Sequence, residues 1–264
     1  MFDYDIYWIN CSENKVRYDH MKSLLEKEFP NNKHHHVEAI MHKPKYNGIT
    51  MAHMVAIMKG MTLGKPFLVI EDDVTGCGGD AVSSLTLSNR LRFDTLTNDL
   101  SFVTPPCQEE NKEKEKEKGD GNQTPDAIYL GLSYWGNMKM GRKKLLAECM
   151  EKDEKVVIIN NKVFMKKGAR GEDWDDNFFR IRDMFGAHAI LYISKQYMVE
   201  TLKICILAIS MNKPHDIYLP KLQKKYLVLG QKHPWFYQLG KIGGQEIGTN
   251  LNFSGVRKIT SENL

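Results

Sequence analysis

Three consecutive carboxylates, Glu71-Asp72-Asp73, end the apolar run Pro66-Phe67-Leu68-Val69-Ile70. Acidic groups packed side by side repel one another unless a cation lies between them. Hard divalent ions, Mg²⁺ or Mn²⁺, suit oxygen ligands of this kind and help to bind diphosphates. A polar turn that solvates a strand end is the alternative reading of the triplet. The chemistry is credible because of where the triplet falls. A short β-rich run after Gly64 and Pro66 has the pattern of a central strand in an α/β sheet, and such sheets bind ligands beyond the carboxyl ends of their strands.

The elements that must position the triplet follow from the apolar spacing. Asp5-Ile6-Tyr7-Trp8-Ile9-Asn10 is the first expected strand, and Tyr18, Met21, Leu25 and Phe29 give one apolar face to a helix over 12–29. A loop bearing His34-His35-His36 leads to a strand near 37–41, then to a helix over 50–61 with Met54, Ile57, Met58 and Met61 as its core face. His53 is expected to pack or hydrogen-bond inside that helix. Gly76-Cys77-Gly78-Gly79 reads as a turn, a helix is expected near 81–100, and strands are expected at 127–130, 156–160, 188–193 and 226–229, with a helix over 194–209. Alternating strands and helices make this an α/β protein.

Between Pro105 and Pro125 the composition breaks into Lys112-Glu113-Lys114-Glu115-Lys116-Glu117-Lys118 and a Gly-Asp-Gly-Asn run. This reads as a solvated charged insertion, with a lid or docking element as the alternative. The strand that resumes at Ala127 argues for one domain over 1–264.

Composition narrows the function. The net charge is +4, and the positive residues are spread without an Arg-rich helix or zinc-finger spacing, which disfavours nucleic-acid binding. Five scattered cysteines form no C-x-x-C pair and point to a reducing compartment. The acidic start and short apolar runs give neither a signal peptide nor a membrane span, so a cytoplasmic protein is expected. The G-x-x-x-x-G-K-[ST] phosphate loop is absent.

Three pieces, in order, resemble glycosyltransferase family 25, which includes lipooligosaccharide and collagen galactosyltransferases. They are Tyr7-Trp8-Ile9-Asn10 with Arg17; Gly48-Ile49-Thr50-Met51-Ala52-His53 with Phe67 to Val74; and Gly186 to Ser194 with Asp216-Ile217-Tyr218-Leu219, Pro234 and Gln238. Ala52 stands where the family has serine, and His215 where valine is usual. The resemblance implies a single GT-A-type, Rossmann-like domain with a mixed, mostly parallel sheet flanked by helices. It also implies a UDP-sugar donor, Mn²⁺ or Mg²⁺, and inverting transfer of a hexose, galactose or glucose, to a glycan or hydroxylated protein acceptor.

On that resemblance, Asp73, and Glu71 directly or through water, position the metal; His233 is a candidate third ligand, with a surface or core histidine as its alternative, and Asp72 points toward the ribose or the sheet edge. Asn10 and Arg17 sit near the uracil and ribose, with a surface ion pair as the other reading of Arg17; the glycine-rich stretch from Gly240 to Gly255 reads either as a closure over the donor or as a flexible tail. Inverting displacement needs a base for the acceptor hydroxyl. Asp216 is the first candidate, with a helix cap as its alternative role; the second is Glu172-Asp173-Trp174-Asp175-Asp176, whose Trp suits stacking on a sugar. Two other readings stay open: a metal-dependent nucleotidyltransferase or phosphohydrolase, and an inactive glycan-binding scaffold of the same fold.

Overall fold

The computed structural model describes residues 4–76, 124–132, 156–159, 162–165, 171–174, 178–182, 184–231 and 235–238. The expected turn at 77–79, the helix near 81–100, nearly all of the charged insertion, and the glycine-rich stretch after 239 lie outside these residues, as do His233, Asp175 and Asp176.

An α/β fold is present. Strands β1 (Asp5–Asn10), β2 (His34–Glu38), β3 (Phe67–Glu71), β5 (Ala127–Tyr129), β8 (Gly171–Asp173), β9 (Phe178–Ile181), β10 (Ala189–Tyr192) and β11 (Val228–Gln231) build one sheet. Its order is β2-β1-β3-β10-β5-β11-β9-β8. Two smaller ladders stand apart, β4 (Val74–Gly76) with β12 (Phe236–Gln238), and β6 (Val156–Ile159) with β7 (Lys162–Met165). The sheet is mixed as expected, but it is not mostly parallel. β1 pairs in parallel with β2 and β3, and β5 with β11, whereas the other four pairings are antiparallel. The reversal comes from β10, which runs against both β3 and β5, and from the β8–β9 hairpin. A strand buried on both faces shows the same apolar run in either direction, so its polarity is invisible in the residues.

Alternate side chains feed two cores. Tyr7, Ile9, Phe67 and Val69 face helices α2 (Lys45–Met61) and α3 (Lys195–Ser210), whereas Ile6, Trp8, Leu68 and Ile70 face α1 (Lys15–Glu28). Helix α1 buries Met21, Leu24 and Leu25 and is capped by Asn14, whose side chain accepts from the Arg17 N–H. Helix α3 is capped by Ser194, which accepts from the Tyr197 N–H.

Two expectations are corrected. The histidine triplet is not an exposed loop: His34 to His36 form edge strand β2 in register with Ile6 to Trp8. His35 holds the Asp5 carboxylate at 2.6 Å, and the His36 ring lies 4.5 Å from that of Trp8. Helix α2 starts five residues earlier than expected, and of the proposed core face only Ile57 is buried. The buried face is Asn47, Gly48, Thr50, Ala52, His53, Ala56, Ile57 and Gly60, while Met58 faces solvent. Small side chains let the helix backbone lie close to the strands, which methionines would prevent.

Candidate active site at the carboxyl edge of the sheet

Because β1, β2, β3, β5, β8 and β11 point the same way and β9 and β10 the opposite way, one edge collects the ends of six strands and the starts of two. Asn10 ends β1, Glu71 ends β3, and the Glu71 N–H donates to the carbonyl of His188, just before β10. The acidic triplet lies where β3 gives way to the turn before β4. His20 on α1 steadies that turn through its ring Nε2, 2.7 Å from the Val74 carbonyl oxygen.

The three acids have different partners. Asp72 is fully engaged: Arg17 Nη1 donates to Oδ1 at 2.6 Å and Asn10 Nδ2 to Oδ2 at 2.7 Å. Arg17 is therefore no surface ion pair, since its side chain is 15% exposed and that of Asp72 13%. The contacts of Trp8 with Tyr18 and His36 pin the start of α1 over β1 and β2, which aims Arg17 at the strand end. Glu71 is held by His53, with Nε2 of the buried ring 3.0 Å from Oε1. Burial pushes the His53 imidazole down to about 4, so the ring is neutral and its Nε2–H donates to the carboxylate. Asp73 is the least satisfied. Its Oδ1 is buried without a hydrogen-bond partner, and Oδ2 has only a long contact of 3.5 Å from Gln238 Nε2.

Asp216 joins this group from another element. It lies in the first turn of the 3-10 helix His215–Tyr218, whose N-cap is Pro214 and which has no side-chain cap hydrogen bond. Its Oδ1 is also buried and unpartnered. Behind it, His215 Nδ1 lies 3.2 Å from Thr50 Oγ1, whose own proton goes to the Tyr46 carbonyl, so the imidazole must be the donor. The His215 and His53 rings are 4.6 Å apart, and burial followed by the neighbouring His53 pushes His215 down to about 3.

Charge is concentrated here. Burial first, and then Asp216 and Asp72, raise Glu71 to about 7, opposed by Arg17. Asp73 is raised to about 7 by burial and Glu71, again opposed by Arg17. Among the described residues Arg17 thus opposes Glu71, Asp72 and Asp73, while Asp216 adds a further negative charge against Glu71, an arrangement that favours a proton or a cation.

The fit to a metal can be read from these partners. Among the described residues no three His, Cys, Asp or Glu side chains converge to hold an ion. Asp72 has spent both oxygens, which leaves Glu71 and the free oxygen of Asp73. Two carboxylates sharing an ion with phosphate oxygens is the usual way Mg²⁺ is held. The residues fit a hard cation bound together with a phosphorylated ligand, and they do not form a complete cage of their own.

Asn10, Arg17, Glu71, Asp72, Asp73 and Asp216, six separate candidates in sequence, thus meet at one edge. The Glu172–Asp173 backbone does not join them. It belongs to β8, five strand spacings from β3, roughly 24 Å along the sheet. Two participants carried no role in the sequence. His53, expected to pack or hydrogen-bond inside its helix, instead meets the Glu71 carboxylate, and its position among Ala52, Ala56 and Gly60 marks the buried side of the helix. Gln238 reaches Asp73 only because β12 pairs with β4 across about 160 intervening positions, which local spacing does not reveal.

No helix among the described residues is long and apolar enough to cross a membrane. No protein-family model matches the chain, and no curated protein matches it. Among solved structures, the crystal structure of A197 from STIV aligns over 89% of this chain and 85% of that one, with 10% identity and a TM-score of 0.39. A likeness at that level bears on neither mechanism nor substrate.

Proposed function

We propose that the chain is a cytoplasmic glycosyltransferase of the family 25 type. It moves a hexose, galactose or glucose, from a UDP-sugar to a hydroxyl of a glycan or hydroxylated protein, with Mn²⁺ or Mg²⁺ as cofactor. The observation that supports this most is the convergence of Asn10, Arg17 and Asp72 in one hydrogen-bonded unit beside the underpartnered Asp73 and Asp216. A bound nucleotide needs fixed polar groups on one side of its diphosphate and a cation on the other; this edge has the polar groups, and Glu71 and Asp73 are the carboxylates that would hold the cation.

In this reading Asp73 and Glu71 hold the cation, which would offset the charge that develops on the leaving diphosphate. His53 keeps the Glu71 carboxylate in one orientation from behind. Asp72 holds Arg17 and Asn10 in place for the ribose and base. Asp216 accepts the proton of the acceptor hydroxyl as that oxygen bonds to the anomeric carbon. Its buried, unpartnered Oδ1 leaves a lone pair for that proton.

The test is a screen of the purified chain against UDP-galactose, UDP-glucose and other nucleotide sugars with Mn²⁺, followed by UDP release and thermal stabilisation. Sugar-dependent UDP release that needs the divalent ion supports the reading. Hydrolysis of nucleotides lacking a sugar favours a phosphohydrolase or nucleotidyltransferase instead. Stabilisation by glycans without turnover favours a binding protein.

A further inference from the structure

We propose that the corner formed by the start of α2 and the end of α3 seats the protein on an anionic bilayer surface, beside the entrance to the acidic edge. Two contacts build this corner. The chain leaving β2 rests directly on α2, since a Cβ added at Gly48 would lie 1.9 Å from the Ile40 carbonyl oxygen. Asn47 Nδ2 then donates to Asn212 Oδ1 at 3.0 Å, tying the first turn of α2 to the residue just past α3.

The corner exposes large apolar side chains that no core requires. Met41 is 80% exposed and Met211 56%, with Ile49 and Leu207 also open to solvent. Exposed Lys43, Lys45 and Lys213 rim them. No Asp or Glu occurs between Glu38 and Glu71, or between Glu200 and Asp216, so neither segment of the corner carries a negative charge. Flexible apolar side chains within a ring of lysines match the interface of an acidic membrane, where the former enter the headgroup boundary and the latter meet lipid phosphates.

The same charge argues against a second copy of the chain, because two such corners would bring lysine against lysine. The placement adds a consequence. β2 ends at the carboxyl edge, and α3 ends six residues before Asp216. A bilayer on this corner would lie next to the acidic edge, which suits a membrane-borne ligand, although the membrane contact itself does not depend on the transferase reading.

Sedimentation of the full chain with vesicles tests it. Vesicles of equal parts phosphatidylglycerol and phosphatidylcholine are compared with phosphatidylcholine alone, in 0.1 M NaCl. Partitioning should be at least tenfold stronger on the anionic vesicles and should be released by 0.5 M NaCl. Lys43→Glu with Lys45→Glu should weaken it by roughly tenfold or more, since each lysine near such a surface contributes about a factor of five. Met41→Ser with Met211→Ser should weaken it severalfold. Lys22→Glu with Lys27→Glu, on α1 across the sheet, should leave it unchanged. All these side chains are exposed, and unaltered melting temperatures establish that the variants fold. Equal binding to both vesicle types, no binding, or equal loss in the α1 variant would overturn the proposal. So would a dimer in sedimentation equilibrium that Met41→Ser with Met211→Ser dissociates, in the absence of vesicle binding.

Discussion

Replacing Asp73 by Asn should stabilise the metal-free protein at alkaline pH while removing its response to divalent cations. Asp73 is raised from 3.8 to about 7 by burial and by Glu71 beside it. The sign follows from linkage. A carboxyl whose pKa is higher folded than unfolded holds its proton longer in the folded chain, so stability is fullest below about pH 4 and falls as pH rises toward 7. A shift of about three units corresponds to roughly 4 kcal/mol at most. Glu71 and Asp73 titrate as a pair and share that cost, so a gain of about 2 kcal/mol is expected from Asn at pH 8.

In a chain of this size the gain raises the melting temperature by roughly 4 to 8 °C. At pH 5 the folded carboxyl is protonated but the unfolded one is already ionised, so a smaller gain, roughly 1 kcal/mol or less, is expected there. The amide keeps the shape of the acid, and its oxygen can still accept from Gln238, so no cavity confuses the comparison. Scanning calorimetry in EDTA at pH 5 and pH 8 gives the answer, with Mn²⁺ and UDP-sugar added in a second series. A variant that is less stable at pH 8, or equally shifted at both pH values, would refute the argument that uncompensated charge is stored at this strand end.

Asp216→Asn should leave UDP-sugar affinity nearly unchanged and lower transfer by roughly 10² to 10⁴, read from kcat against donor Kd. Asp72→Ala removes the charge-assisted partner of Arg17 and should cost about 2 kcal/mol in calorimetry, with weaker donor binding in titration. Gly131→Ala would place a Cβ 2.0 Å from Nε2 of the buried His188 and should cost about 1 to 3 kcal/mol in urea unfolding, without a pH dependence of its own.

What could be read from the residues alone follows a physical line. Apolar runs and caps are local, so β1, β3, β10, α1 and α3 are visible to within a few residues, and the acidic triplet announces itself at a strand end. Strand direction is not local, and the antiparallel entry of β10 between β3 and β5 leaves no trace in Ala189-Ile190-Leu191-Tyr192. The methionines of α2 mislead because hydrophobicity alone does not say which side chains are small enough to let a helix lie on a sheet; Ala52, Ala56 and Gly60 do. The histidines of β2 look like a polar loop because their partners Asp5, Trp8 and the Phe29 carbonyl lie elsewhere in the chain. Within the site, carboxylates can be picked out by type, whereas the contacts that distinguish a satisfied Asp72 from an unsatisfied Asp73 are long-range.

The β4–β12 ladder has a kinetic meaning. Each strand is three residues long, and the later one returns from the far end of the chain to hold the backbone just past Asp73. Its anchors are the Trp235 and Phe236 N–H groups on the Leu130 carbonyl and the Phe236 ring stacked 5.9 Å from Phe29. So short a ladder has little stability of its own, and it should open in excursions that leave the eight-stranded sheet intact. Amide hydrogens of Val74 to Gly76 should therefore exchange with deuterium well before those of Leu68 to Ile70, though one short turn separates them. Each such opening also withdraws Gln238 from Asp73. The rate at which the acidic turn is bared is thereby set by a segment more than 160 residues downstream, and a ligand bridging the two would be measured first as slowed exchange at β4.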